Sequence, residues 1–167
     1  MDETLEGSTL QSNSDGDVAA PRASMIQVDA AQAVALWDKI RPEIAAHLGE
    51  AGATAVLNAI MGGRVQFWVA GYVVEQAGFV EHALLTTTDH YEYFSNKRAL
   101  LVFSLNAVRP MDAGLYSHII ESLKKYASSN SYSKLVAFSN VDMVVEMARR
   151  NGADVSVRFI DFGEKAV

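Results

Sequence analysis

Two periods of apolar residues divide this chain. From Asp29, which has the chemistry of an N-cap, Ala33, Leu36, Trp37, Ile40, Ile44 and Leu48 recur at helical spacing. Pro42 is expected to kink or split this helix and Gly49 to end it. A second helix is predicted over Ala53–Met61, with Val56, Leu57 and Ile60 on its apolar face and Gly62-Gly63 as its stop. Beyond it the period shortens. Val65–Val74, rich in Val, Phe, Trp and Tyr, reads as a strand. Gln76-Ala77-Gly78 supplies a turn, Phe79–Asp89 a second strand and Tyr91–Lys97 a loop. Ala99–Val108 is apolar nearly throughout, as a strand buried on both faces would be. The remainder predicts helix Met111–Ser128, strand Lys134–Ser139, helix Val141–Asn151 and strand Asp154–Phe162. Helices, then an antiparallel meander, then alternating strands and helices give an α/β fold: a mixed central sheet with helices on both faces.

The first 24 residues do not join this pattern. They are Ser, Asp, Gly, Glu and Thr with isolated Leu5 and Leu10, and such a stretch buries too little apolar surface to offset its ordering entropy. Residues 1–24 are therefore expected to form an extended arm, disordered or held by a partner, and residues 25–167 a single domain. The arm carries much of the net charge of −6, so the domain is close to neutral. No Lys/Arg stripe supports nucleic-acid binding. The chain has no Cys, which removes disulfides, thiolate catalysis and Cys-based zinc sites. No run approaches the ~18 uninterrupted apolar residues of a membrane span, and no secretory leader pattern opens the chain.

Few residues are placed for chemistry. His47, His82, His90 and His118 form no helical metal pair, so structural or surface roles are expected and no metal site is assigned. Asp89-His90-Tyr91-Glu92-Tyr93 gathers acidic, imidazole and phenolic groups and is the best local candidate for acid–base work. The alternative is a polar loop whose aromatics, Tyr91, Tyr93 and Phe94, contact a partner. Trp37 and Trp68 sit in apolar patterns and read as core.

The strand–helix–strand–helix–strand order over the last third resembles the GNAT N-acetyltransferase domain. So does Asn140 before a helix containing Ala148, followed by Asn151-Gly152-Ala153. More narrowly, Gly63-Arg64-Val65-Gln66-Phe67-Trp68, the Thr86-Thr87-Thr88 run and the apolar strand after it are similar to small GNAT-like proteins of tailed bacteriophages. The resemblance implies that the turn Arg109-Pro110-Met111-Asp112-Ala113-Gly114-Leu115-Tyr116 would hold the pyrophosphate of acetyl-CoA. Val108, Gly114 and Leu115 would then offer backbone contacts and Arg109 a cation. The turn is degenerate against the family pattern. Met111 stands at the Gln/Arg position, Tyr116 at the second Gly/Ala position, and Asp112 adds a negative charge. Ala148 replaces the Tyr that protonates the leaving thiolate, and the preceding strand offers only Ser104 and Asn106 as polar groups, neither a useful base.

These departures favour a non-catalytic component of a phage particle that takes no cofactor. It would contact other virion proteins or copies of itself through Leu5, Leu10, Tyr91, Tyr93 and Phe94. It would reside in the virion, and in the host cytoplasm during assembly. The alternative is an acyl-CoA-dependent N-acetyltransferase acting on a protein or small-molecule amine.

Overall fold

The computed structural model describes residues 20–93, 96–139 and 141–155. Eight elements follow one another: β1 (Arg22–Val28), α1 (Ala30–Met61), β2 (Val65–Val74), β3 (Gly78–Glu92), β4 (Lys97–Ala107), α2 (Ala113–Ser129), β5 (Leu135–Ala137) and α3 (Asp142–Arg150). The strands form one five-stranded sheet in sequence order. β1 to β4 pair antiparallel and β5 joins β4 in parallel, so the sheet is mixed as expected.

α1 covers one face. Asp29 caps it through a reciprocal capping box with Gln32, and Ala33, Trp37, Ile40 and Ile44 turn inward toward Phe67, Val69 and Leu84. The backbone stays helical through Pro42 and breaks at Gly49 (φ 71°), correcting the expected split at Pro42. Only glycine enters that left-handed region freely. Arg41 donates to Glu50 across the break at 2.8 Å. α2 covers the opposite face. Leu115, Ile119, Leu123 and Ala127 recur at i, i+4 spacing and pack on Trp68, Ala70, Ala83, Leu85 and Leu100. Burial of each such Leu or Ile contributes about 1.5–3 kcal/mol. Both tryptophans are core, at 7% exposure each. Within β3 the two buried threonines are satisfied: Thr86 shares a hydrogen bond with Ser104, while Thr87 donates to Gln66 and accepts from the Trp68 indole N–H.

Several boundaries differ from expectation. Arg22–Val28 form the edge strand β1, so residues 22–24 of the supposed arm belong to the sheet; Leu5 and Leu10 lie outside the described residues. β3 continues through Tyr91 and Glu92, which pair with Arg98 and Lys97, so both ends of the expected loop belong to strands. Tyr91 and Tyr93 are exposed there, and Phe94 lies outside the described residues. Asn140 and nearly all of the expected last strand are outside them as well.

Candidate active site

Two bulges shape one end of the sheet. Ala83 of β3 pairs with Ala70, yet Glu81 pairs with Gly71, leaving His82 as an extra residue. Gly71 is required there, because a Cβ on it would lie 2.0 Å from the Val80 carbonyl oxygen. The extra residue changes which side chains share a face. Strict alternation from Ala83 and Leu85, which face α2, would send Glu81 the same way. Glu81 instead reaches Lys39 on α1 and forms an ion pair with it.

The second bulge is in β4, where Thr86 pairs with Ser104 and Thr87 with Val102, so Phe103 is the extra residue. Leu100, Val102 and Leu105 keep their contacts on the α2 face, while Asn106 donates to the Lys39 carbonyl on the α1 face. The bulge also marks where the sheet divides. β5 pairs with Leu100, Leu101 and Val102 and stops there. From Phe103 to Ala107, β4 has no strand partner on its β5 side among the described residues. Phe103, at the head of this notch, is 41% exposed.

The free edge of β4 leads to the turn before α2, which His82 anchors. The amides of Val108 and Arg109 both donate to the His82 carbonyl, at 2.9 and 3.2 Å, and the His82 ring nitrogen Nδ1 lies 2.8 Å from the Pro110 carbonyl. Asp112 is the N-cap of α2 and accepts from the Leu115 amide at 2.7 Å. The Tyr72 hydroxyl lies 2.7 Å from both oxygens of the same carboxylate. Tyr72 in turn meets the His82 ring edge-to-face at 5.3 Å. The Tyr72 hydroxyl holds the Asp112 carboxyl below the usual carboxylate range, with a further contribution from the Leu115 amide. Hydrogen bonding to that carboxylate, then burial, raises the Tyr72 phenol.

The nominated cofactor residues are therefore close together, but much of their hydrogen-bonding capacity is committed. The Val108 N–H serves His82, the Leu115 N–H serves Asp112, and Gly114 packs beside the same carboxylate. Arg109 is exposed and borders the α1 face. There an open groove of about 550 Å³ is lined by Lys39, Pro42, Glu43, Glu81, Asn106, Ala107, Val108 and Arg109. Sequence reasoning missed Glu81 and Glu43, which stand in no motif. For Glu81 the one sequence signal is Gly71 in a β pattern, which marks a bulge; Glu43 has none.

The Asp89–Tyr93 constellation does not converge. Asp89 accepts from Tyr132 and lies 3.6 Å from Arg98, Glu92 pairs with Lys134, and Tyr91 donates to Asn96. Burial, then the bond to Asp89, pushes the Tyr132 phenol up to about 12. The Arg98 guanidinium covers its ring at 4.4 Å. This cluster fastens the far ends of β3 and β4 to the end of α2.

Neither a scan against protein-family models nor a search of curated proteins gives a match. Solved structures do match. AAC(6')-Iy, in complex with a CoA-linked bisubstrate analogue, superposes with a TM-score of 0.66 at 10% identity, covering 87% of this chain and 99% of that one. A predicted acetyltransferase from Clostridium acetobutylicum, with acetyl-CoA, gives 0.63 at 11% identity over 85% and 96% of the two chains. The aminoglycoside 6'-N-acetyltransferase AAC(6')-Ih from Acinetobacter baumannii gives 0.62 at 11% identity over 87% and 100%. These findings overturn the expectation of a phage-particle component without a cofactor. The similar structures are acetyltransferases, among them complexes with acetyl-CoA or a CoA-linked ligand, and nothing in the likeness points to a virion. The sheet order, the helices on both faces and the near-complete coverage together establish that this chain has the GNAT fold.

Proposed function

We propose that the protein is an acyl-CoA-dependent N-acetyltransferase. The observation that carries this reading is the division of the sheet at Phe103: among the described residues no strand pairs with β4 along Phe103–Ala107 on its β5 side. An extended, amide-bearing chain can pair with such an edge as an added strand would. The pantetheine arm of coenzyme A is a chain of this kind, and it would bring its thioester between the notch and the α1 groove.

The groove supplies the acceptor side. Glu43 and Glu81 attract a cationic amine, and Lys39 and Asn106 fix the wall between them. In the transfer, the neutral amine nitrogen attacks the thioester carbonyl carbon. The new N–C bond forms, the C–S bond breaks, and the sulfur leaves as thiolate. The bound ammonium first loses one proton to solvent, and the second, released from nitrogen as the N–C bond forms, passes to Glu81, directly or through water. Ala148 offers no acid at the position where the family places its Tyr, so the thiolate takes its proton from solvent.

The test is thiol release from acetyl-CoA in the presence of a panel of primary amines. An amine-dependent rate above the uncatalysed one is expected, with Glu81→Gln lowering kcat about 100-fold while the protein remains folded, in the range for loss of a general base. No amine-dependent release across the panel contradicts the reading.

A further inference from the structure

The anion seat and the strand edge at this site make opposite demands on a donor. Main-chain amides at the start of a helix are natural ligands of phosphate. In this chain they already have an anion. Asp112 accepts from the Leu115 amide at 2.7 Å, and an Asp112 oxygen lies 3.2 Å from where a Cβ on Gly114 would be. The Tyr72 hydroxyl, from a different strand, holds the carboxylate in place at 2.7 Å to each oxygen. The Val108 and Arg109 amides, next in line, point to the His82 carbonyl. A diphosphate entering here would meet a carboxylate that is ionised at neutral pH, and would have to displace it from its amide and phenol partners. Arg109 is the one cation on the turn, and it also borders the groove on the other face of the sheet. The edge of β4, by contrast, makes no such objection.

We propose that this chain recognises its acyl donor by the pantetheine arm laid along Phe103–Ala107, with the Asp112 carboxylate, fixed by Tyr72, standing where a diphosphate would otherwise bind. The ligand class is pantetheine thioesters whatever group follows the arm. This inference rests on the donor site proposed above.

Calorimetric titration of the full chain with acetyl-CoA and with S-acetyl-pantetheine, which carries no phosphate, separates the two. Wild-type affinities for the two thioesters are expected to agree within about tenfold, a difference of ~1.4 kcal/mol. Asp112→Ser and Asp112→Asn keep an N-cap and remove the charge. Each is expected to tighten acetyl-CoA by about tenfold or more and to leave S-acetyl-pantetheine unchanged. A wild-type preference for acetyl-CoA of about 100-fold, or variants that bind it no better, overturns the inference and leaves the acetyltransferase reading standing. Binding of neither thioester, by wild type or by variants whose circular dichroism shows them folded at the titration temperature, overturns both.

Discussion

At the scale of single residues, Asp112 decides most. Its place at the start of α2 was legible, because a Pro-x-Asp segment before an apolar helical stripe is a helix start. Its second partner was not, since Tyr72 lies 40 residues earlier and only the pairing of β2 with β3 carries it to the turn. The pair makes a prediction about pH. The folded value of Asp112 is lowered from its ordinary 3.8, chiefly by Tyr72 and then by the Leu115 amide. A carboxyl held lower in the folded state gives stability that is complete above the unfolded value and is lost as pH falls through the folded one. Asp112→Asn is therefore expected to melt below wild type near neutrality, with the gap closing at pH below 3.8. Thermal melts across that range check this, and a gap of constant size contradicts it.

At the scale of elements, periodicity read the chain well wherever a face was continuous. β2 appears with the bounds that its Val, Phe, Trp and Tyr content predicts, and α2 begins two residues late and ends one late. β1 escaped because Arg22, Ser24 and Gln27 interrupt a short apolar set at an edge, so its composition resembled the tail before it. The bulges escaped for a different reason. An extra residue leaves hydrophobicity unchanged and alters only parity, and parity is what sends Glu81 to α1. Gly71 tests this. Gly71→Ala drives a methyl group into the Val80 carbonyl at 2.0 Å, a backbone contact that no rotamer relieves. The expected cost is about 1–3 kcal/mol or more, read by urea denaturation, together with weaker donor binding as His82 loses its hold on the turn. A neutral substitution would show that the bulge has no structural consequence.

At the scale of the molecule, the fold was legible and the function was misread. Strand–helix alternation predicts the architecture, while the degenerate turn favours a protein without a cofactor. The turn is one half of the site. The other half is an open strand edge, which depends on where β5 stops pairing and has no residue signature. The polar groove likewise assembles from α1, β3 and β4, with Glu81 and Asn106 lying 42 and 67 positions from Lys39 in the chain.

The account stands on a donor lying against β4 beyond its bulge, and amide chemical shifts report that contact most directly. On titration of the labelled protein with acetyl-CoA, the amides of Phe103 to Ala107 are expected to move together in a saturable way, with those of the Asp89–Arg98 end of the hairpin unmoved. Saturable shifts confined to other surfaces, or none along Phe103–Ala107 at millimolar donor, would contradict it.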